Sequence, residues 1–343
     1  MPVVSSAVMD RRLFAVVLAA CSSPSSKKPD ATGPLPDGPT AHPRFQRCTG
    51  RAYTPAADEG WRHDIATPII TAAGAPNHSG ADIVAHPGTA ATLPGKFSYG
   101  LISKDLEDED ILVSIDTCQR WQPLGRMTTD SDGRMAVTAP ALPAGVYEVT
   151  FQVAGDQSLT TSYLWLLPAG THVVVTDIDA TLTTNDSQVF EQILDGSYVP
   201  TTYPGAVALA KAHEARGHVV VYMTGRPYWL SDRTRGYLEM LDFVHGPVRL
   251  ANSNTDILPT EGSVGAYKLA NLNALLGAGI VIDVAYGNAT TDIYAYLGAG
   301  VPADRVWIIG SHAGEQGTQA VTGSWGARAA EVAALPVVMQ PFD

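Results

Sequence analysis

The sequence contains few cysteines, few basic residues and few long apolar runs. Three cysteines among 343 residues, with no CxxC pair, argue against a structural zinc site. Lys and Arg number 22 against 34 Asp and Glu, and they form no cluster, so a nucleic-acid interface is not expected. Neither a Walker A lysine loop nor a Gly-x-Ser-x-Gly elbow occurs, which excludes two common catalytic designs.

The N-terminus has the pattern of an export signal. Arg11 and Arg12 precede an apolar run at residues 13–20, which is too short to span a bilayer, and Cys21 follows. The segment Leu18-Ala19-Ala20-Cys21 resembles a bacterial lipobox, in which the cysteine is lipidated. We therefore expect a signal peptide at residues 1–20 and an exported bacterial lipoprotein, anchored in the membrane through Cys21 on the periplasmic or cell-surface side. Secretion with a free Cys21, or no export at all, are the alternatives.

Residues 21–45 are rich in Ser, Pro and Gly and contain too few apolar residues to fold. They are expected to form a disordered tether. The two remaining cysteines, Cys48 and Cys118, form a disulfide or stay as two structural thiols, and the sequence alone leaves both options open.

Residues 46–168 are expected to form a small antiparallel, immunoglobulin-like β-sandwich. From residue 97 onward, short runs of alternating apolar and polar residues are separated by turn signals such as Asp132-Gly133. Asp130 and Asp132 could bind calcium, but such a pair more often forms a simple turn. The predicted strands are 97–102, 111–115, 135–138, 146–153 and 161–166.

Residues 169–343 show a different pattern, because strand-like runs alternate with helical ones. This alternation predicts a parallel sheet with helices on its faces, and ligands bind such sheets at the carboxyl ends of the strands. The predicted strands are 173–176, 219–224, 247–250, 280–286 and 305–310. The predicted helices lie around 205–216, 232–242, 267–276 and 291–297.

The run Val173-Val174-Val175-Thr176 stops at two aspartates, Asp177 and Asp179, with Thr181 just beyond them. A turn after the strand crowds the two carboxylates together, which requires a hard cation such as Mg²⁺ and suits phosphoryl-transfer chemistry. An acidic surface turn is the alternative, although such turns seldom follow a strand of buried type.

Other strand ends supply groups for a phosphate and a metal. Thr224, Gly225 and Arg226 follow the second strand, and the glycine allows close approach of the backbone to an anion. Lys268 precedes a helix and can act as a point charge. Asn288 and Asp292 follow a further strand and could complete the oxygen shell of a metal.

The order of these pieces resembles that of the haloacid dehalogenase-like phosphatases. Within that superfamily, residues 160–312 resemble the lipin/Ned1/Smp2 (LNS2) domain, which occurs in phosphatidate phosphatases and in membrane-associated phosphatidylinositol transfer proteins. The resemblance rests on Asp177-Ile178-Asp179-Ala180-Thr181-Leu182-Thr183, Thr234-Arg235-Gly236-Tyr237-Leu238, Gly246-Pro247-Val248-Arg249-Leu250, and Gly287-Asn288 with Asp292-Ile293-Tyr294-Ala295-Tyr296.

The resemblance implies that Asp177 is a nucleophile that forms an aspartyl-phosphate and that Asp179 is a general acid and base. Thr224 would hold a phosphoryl oxygen and Lys268 would neutralise developing charge. The substrate would be contacted by Thr181, Gly225 and Arg226. The implied Mg²⁺ ligands are Asp177, Asp179 and Asn288, with Asp292 in or beside the metal shell.

Two features of the chain bear on this resemblance. Ala180 stands where the lipin family usually has glycine. The transfer-protein branch often lacks the first aspartate, whereas this chain keeps both, which favours an active enzyme.

The gaps between the motifs are too short to contain a cap domain, with 37 residues between Thr181 and Val219. An uncapped site suits a phosphate on a large or membrane-embedded molecule. We therefore expect a Mg²⁺-dependent phosphatidate phosphatase-like enzyme that acts on a membrane phospholipid. A non-catalytic module that binds phosphatidic acid, and a capless phosphatase for another phosphomonoester, are the alternatives.

Overall fold

The structure, a computed structural model, describes residues 45–72, 74–100, 104–185, 199–251 and 261–343. The predicted signal peptide, Cys21 and all but the last residue of the predicted tether lie outside the described residues.

Short strands form the first half of the described chain and pack around one apolar core. They are β1 (Gln46–Cys48), β2 (Ser79–Gly80), β3 (Ile83–Ala85), β4 (Ala91–Lys96), β5 (Ser98–Tyr99), β6 (Lys104–Asp105), β7 (Asp110–Asp116), β8 (Trp121–Thr128), β9 (Arg134–Ala139), β10 (Gly145–Val153) and β11 (Leu159–Leu166), with helix α1 (Ala66–Thr71) between β1 and β2. One sheet has the order β3-β11-β10-β7-β8 with β1 beside β10, a second has the order β2-β4-β9, and β5 pairs with β6. The predicted sandwich is confirmed.

The sandwich differs from the prediction in its details. Strand β8 contains Pro123 and Gly125, which weaken a strand pattern, and its pairing with β7 shifts register between Val113 and Ser114. Strands β1 and β3 add to the sheet in parallel, whereas an antiparallel sandwich was expected. Cys48 at the end of β1 forms a disulfide with Cys118 in the turn between β7 and β8.

A parallel six-stranded sheet follows, with helices between its strands. Its strands are β12 (His172–Asp177), β13 (Val219–Pro227), β14 (Val248–Ala251), β15 (Val281–Gly287), β16 (Val306–Ile309) and β17 (Gln319–Val321), and its helices are α2 (Ala206–Ala215), α3 (Ser231–Met240), α4 (Ala266–Gly277), α5 (Thr290–Gly298) and α6 (Gly326–Ala333). The strand order is β14-β13-β12-β15-β16-β17. The predicted haloacid dehalogenase-like fold is confirmed.

This order creates a topological switch point beside β12. The chain runs from β12 outward through β13 and β14, then returns to the other side of β12 with β15. A crevice therefore opens between the carboxyl ends of β12 and β15, where ligands bind in open parallel sheets. Asp177 and Asn288 lie at these two strand ends.

A buried ion pair joins the sandwich to the parallel sheet. Asp82, which is 1% exposed, accepts hydrogen bonds from Arg235 Nη2 on α3 at 2.7 Å and from the backbone N–H of Val248 on β14 at 2.8 Å. Arg235 also donates to the backbone carbonyls of Gly80 and Thr161 in the sandwich. The contact therefore gives Asp82 partners from both domains and pairs both terminal nitrogens of Arg235, while Arg235 Nε is buried without a hydrogen-bond partner among the described residues.

The turn after β12 holds a residue in an unusual conformation. Ala180 has φ of +53°, in the left-handed region that favours glycine, and its N–H donates to Thr183 Oγ1 at 3.0 Å. The usual glycine of the lipin family at this position is therefore explained by backbone geometry. In this chain the methyl group is accommodated at the cost of local strain.

The interdomain ion pair generates a prediction about stability. Replacing Arg235 by alanine leaves the buried Asp82 side chain without its ion-pair partner, so we expect the free energy of unfolding to fall by about 3–5 kcal/mol. Urea denaturation followed by circular dichroism measures this. The matched control is Arg62→Ala, because Arg62 is 46% exposed and pairs only loosely with Asp108 and Asp110, and it should cost less than about 1 kcal/mol. Equal losses in the two variants would contradict the prediction.

The strained turn generates a second prediction. We expect Ala180→Gly to raise the free energy of unfolding by about 1 kcal/mol, because the strain removed exceeds the extra entropy of glycine in the unfolded chain. The control is Ala208→Gly on the exposed face of α2, which should lower stability by about 1 kcal/mol. Chemical denaturation of both variants measures whether the free energy of unfolding rises or falls. A lower free energy of unfolding in Ala180→Gly would contradict the inference that the turn is strained.

Candidate functional site

The site begins where β12 ends. Asp177 is the last residue of the strand and is 3% exposed, and the chain then turns tightly around the carbonyl of Ile178, which accepts the N–H groups of Thr181, Leu182 and Thr183. This turn brings the hydroxyl of Thr181 back to Asp177 Oδ2 at 2.8 Å. The strand end and the turn therefore fix the carboxylate of Asp177 from two sides.

Lys268 lies between two carboxylates from different elements. Its Nζ is 2.6 Å from Asp177 Oδ1 at the end of β12 and 2.6 Å from Asp292 Oδ1 on α5, and its side chain is 4% exposed. Burial lowers the pKa of Lys268, but the charges of Asp177 and Asp292 outweigh it and place the pKa above its usual value. Lys268 is therefore a permanent cation at this strand end.

The carboxylate of Asp177 is buried among charges of both signs. Burial raises the pKa of Asp177, and the charges of Asp292 and Asp179 add to the rise while the charge of Lys268 opposes it. The ionised form of Asp177 therefore benefits from any further cation that binds beside it.

Asp292 supports the site through the start of helix α5. Its Oδ2 accepts the backbone N–H groups of Asn288 and Ala289, each at 3.0 Å, as a helix-capping carboxylate does. Gly287 makes this possible, because a Cβ there would lie 2.5 Å from Asp292 Cβ. With Oδ1 bound to Lys268, Asp292 holds both the lysine and the loop that carries Asn288.

Asp179 is held by a guanidinium group. Arg226 Nε lies 3.0 Å from both carboxylate oxygens and Nη2 lies 2.8 Å from Oδ1, while the hydroxyl of Thr224 donates to Oδ2 at 2.8 Å. Arg226 is 3% exposed. Burial lowers the pKa of Arg226, but Asp179 raises it by more, so the pair is a buried charge-assisted one.

Helix α3 holds Arg226 in turn. Arg226 Nη1 donates to Thr234 Oγ1 at 3.3 Å, and its guanidinium carbon lies 5.6 Å from the centre of the Tyr237 ring. Thr234 and Tyr237 are one helical turn apart and therefore lie on the same face of α3. Arg235, between them, points instead to Asp82 of the sandwich.

Asn288 completes a cluster of oxygen atoms. The outer end of its amide lies 3.1 Å from Thr181 Oγ1, 3.2 Å from the carbonyl oxygen of Asp179 and 3.3 Å from Asp292 Oδ2. The single hydroxyl hydrogen of Thr181 goes to Asp177, so the amide nitrogen of Asn288 faces these oxygens when no cation is bound. Rotation of the amide would present its oxygen beside the carbonyl oxygen of Asp179 and Oδ2 of Asp292, and oxygen ligands of this kind suit Mg²⁺.

The formal charges also fit a cation. Asp177, Asp179 and Asp292 contribute three negative charges, and Lys268 and Arg226 contribute two positive charges, which leaves a net charge of −1. A bound phosphomonoester would make this more negative. Among the described residues no group of three His, Cys, Asp or Glu side chains is placed to hold a metal, so a cation here requires the carbonyl and amide oxygens as well.

The structure brings the predicted site residues to one strand edge. Hydrogen bonds connect Asp177, Thr181, Asn288, Lys268 and Asp292 in one group, and Asp179, Thr224 and Arg226 in a second. Gly225 lies between Thr224 and Arg226, where a Cβ would come within 3.1 Å of Val264. The catalytic, substrate-binding and metal-binding roles of these residues remain predictions.

Sequence reasoning did not identify three residues that support the site. Thr234 and Tyr237 were part of a motif whose structural role was unassigned, and their i, i+3 spacing was the available signal. Trp325 lies beyond the expected motifs, and its indole N–H donates to the carbonyl of Thr181 at 2.7 Å.

Comparisons with known proteins identify both parts of the chain. Residues 174–310 match a family model described as the LNS2 domain of PITM 1-3, and residues 76–166 match the model of the PITM 1-3 beta-sandwich domain. The two matches fall on the parallel sheet and on the sandwich.

Curated relatives carry both parts. Membrane-associated phosphatidylinositol transfer protein 3 of Homo sapiens is 32% identical over 241 residues, which are 68% of this chain and 23% of the relative. The Mus musculus protein is 32% identical over 250 residues, 71% of this chain and 24% of the relative. Protein retinal degeneration B of Drosophila melanogaster is 30% identical over 245 residues, 69% of this chain and 18% of the relative. The chain thus spans about a quarter or less of their length.

These relatives overturn the predicted localisation. An exported bacterial lipoprotein anchored through Cys21 was expected, but the relatives are animal proteins, two of them named as membrane-associated. Two arginines, a short apolar run and a cysteine are too little sequence to define a processed signal. Within the described residues, every helix is too short or too polar to be a candidate membrane span.

The order of the motifs, the parallel sheet with its switch point and the two family matches agree with one another. The chain belongs to the lipin/Ned1/Smp2 (LNS2) domain family of the haloacid dehalogenase-like superfamily, with the β-sandwich of the phosphatidylinositol transfer proteins ahead of that domain.

Proposed function

We propose that the strand edge around Lys268 binds the phosphomonoester headgroup of a membrane phospholipid, with phosphatidic acid as the simplest such lipid. The observation that carries this proposal is the placement of Lys268, a buried cation at the switch point of the sheet, bonded at 2.6 Å to both Asp177 and Asp292. The backbone at Gly225 lies on the adjacent strand end and can donate a hydrogen bond to a phosphate oxygen.

Mg²⁺ is part of the proposal because the site is anionic before the phosphate arrives. Asp177, the carbonyl of Asp179 and the amide oxygen of Asn288 would hold the ion. Bound there, Mg²⁺ supplies positive charge that offsets the phosphate oxygens. Asp292 keeps the loop of Asn288 in place by accepting two of its backbone N–H groups.

A lipid headgroup is favoured over a small metabolite by access to the site. The connections between the motif strands are too short to contain a cap domain that would enclose the ligand. The relatives that carry the same two domains are named as phosphatidylinositol transfer proteins, which supports a phospholipid ligand.

Binding without turnover is favoured by the state of Asp179. Both of its oxygens accept hydrogen bonds from Arg226 or Thr224. Donation of a proton to a leaving group requires Asp179 to give up some of these bonds, whereas holding a phosphate requires no such change.

Hydrolysis is the second candidate, and the retention of both aspartates favours it. In that reaction Asp177 attacks phosphorus, the bond to the lipid oxygen breaks, and that oxygen takes a proton from Asp179. Water activated by Asp179 then releases inorganic phosphate from Asp177. Lys268 is bonded to the attacking carboxylate and would offset charge as it develops.

The third prediction concerns the binding of Mg²⁺. We expect a hundredfold excess of Mg²⁺ over its dissociation constant to stabilise the protein by about 2.7 kcal/mol, since only the folded site binds the ion. Thermal unfolding with and without Mg²⁺ measures the increment. Asp177→Asn should abolish most of it. The matched control is Asp283→Asn, whose carboxylate lies near the start of β15 and is bonded to His172 and His218, and it should keep the full increment.

The fourth prediction concerns the binding of the lipid. We expect the protein to cosediment with vesicles containing phosphatidic acid but not with phosphatidylcholine vesicles. Lys268→Met should weaken binding about ten- to a hundredfold, because a charge-assisted bond to phosphate is lost. The control Lys211→Met changes an exposed lysine on α2 and should bind normally.

Phosphate release from the same vesicles separates the two candidates. Binding without release, unchanged in Asp179→Asn, supports the binding function. Mg²⁺-dependent release that Asp179→Asn abolishes supports hydrolysis. Equal binding to both kinds of vesicle would overturn the proposed function.

A further inference from the structure

Trp325 lies outside the segment that the LNS2 family model matches, which ends at residue 310. It stands between β17 and α6 and immediately precedes the helix. Its side chain is among the largest fully buried ones in the described part of the chain, with 0% exposure. A residue this remote in sequence from the motifs nevertheless contacts the loop that carries them.

The contacts of Trp325 are directional as well as apolar. The indole N–H donates to the carbonyl of Thr181 at 2.7 Å, and the backbone N–H donates to the carbonyl of Pro204 at 2.9 Å. The ring also packs edge-on against Tyr286, with centroids 5.3 Å apart and an interplanar angle of 86°. Trp325 therefore touches the turn after β12, the approach to α2 and the end of β15.

Close packing leaves little freedom in this arrangement. Gly205, at the start of α2, lies so near α6 that a Cβ there would be 2.4 Å from the backbone nitrogen of Gly326. The position of Trp325 is thus set by backbone contact between α2 and α6. Its indole N–H then donates to the backbone carbonyl of Thr181, whose side-chain hydroxyl donates to Asp177.

Thr181 transmits this constraint to the site. The hydroxyl of Thr181 donates to Asp177 Oδ2 at 2.8 Å. The hydroxyl oxygen, Thr181 Oγ1, also lies 3.1 Å from the amide of Asn288. A peptide group held at its carbonyl by a buried N–H has a fixed orientation, so the side chain of Thr181 starts from a fixed Cα. The spacing between Asp177 and Asn288 therefore depends on Thr181 Oγ1, which contacts both side chains.

We propose that Trp325 is a positioning residue for the metal and phosphate site and acts through Thr181. The C-terminal segment around α6 is on this view a working part of the LNS2 domain in this chain. The inference rests on the proposed function for its effect on Mg²⁺ binding. Its effect on the Thr181 turn is independent of any ligand.

The test compares two identical substitutions. Trp325→Phe removes the indole N–H and keeps an aromatic ring. Trp121→Phe is the matched control, because the indole N–H of Trp121 also donates to a backbone carbonyl, that of Ala52, at 3.1 Å in the sandwich. Circular dichroism and urea denaturation establish that both variants are folded.

Hydrogen exchange is the first measurement. The N–H groups of Thr181, Leu182 and Thr183 are bonded to the carbonyl of Ile178, and we expect Trp325→Phe to speed their exchange about three- to tenfold, while Trp121→Phe leaves it unchanged. Equal exchange in the two variants would overturn the proposal, whether or not the protein binds Mg²⁺.

Mg²⁺ affinity, measured by calorimetry with the ion alone, is the second measurement. We expect the dissociation constant to rise about three- to tenfold in Trp325→Phe and to stay unchanged in Trp121→Phe. Faster exchange with unchanged Mg²⁺ affinity would overturn the link to the metal. Failure of the wild-type protein to bind Mg²⁺ would instead count against the proposed function, and the exchange data would still decide the role of Trp325 in the turn.

Should Trp325→Phe fail to fold, a measurement on the wild-type protein tests the same proposal. With the indole nitrogens labelled, addition of Mg²⁺ should shift the N–H resonance of Trp325 and leave that of Trp121 in place. A Trp325 resonance that does not respond to bound Mg²⁺ would overturn the proposal.

Discussion

The buried contact of Lys268 with Asp177 and Asp292 is the interaction on which the site depends. It connects the end of β12 with helix α4, 91 positions away, and with the first turn of α5, a further 24 positions along the chain. Without the lysine, two carboxylates would face each other at the switch point of the sheet, and burial would make their charges costly. With it, the two carboxylates stay close together beside the switch point, each 2.6 Å from Lys268 Nζ.

Helix α3 connects this site to the β-sandwich. Thr234 and Tyr237 hold Arg226, which holds Asp179, while Arg235 on another face of the same helix pairs with Asp82. The motif at residues 234–238 therefore contacts the candidate site on one face of α3 and the β-sandwich on another. Asp82 of the sandwich is buried and forms an ion pair with Arg235 of the LNS2 domain. The two domains therefore cannot separate without exposing Asp82 or leaving it without its ion-pair partner.

The sequence was sufficient to predict the parts governed by local pattern. The Val-Val-Val run, the alternation of strands and helices and the clustering of Asp177, Lys268 and Asn288 at strand ends follow from periodicity and from the geometry of parallel sheets. The pairing of Trp325 with Thr181 could not be predicted, because no pattern relates residues 144 positions apart. Strand β8 was not predicted because Pro123 and Gly125 interrupt its strand pattern. The short N-terminal pattern at Cys21 predicted an export route that the relatives do not support.

The two proposed functions, binding of a phosphate and its hydrolysis, place different demands on the mobility of the Asp179 carboxylate. Arg226 is fixed by Thr234 and Tyr237, so a change in its bond to Asp179 must come from movement of Asp179. The backbone beside Asp179 is constrained as well, because Ala180 occupies the left-handed region and its N–H is bonded to Thr183. Asp179 therefore has to exchange its bonds mainly by rotation of its own side chain. Under the proposed function, a site in which that rotation is unfavourable holds a phosphate without hydrolysing it.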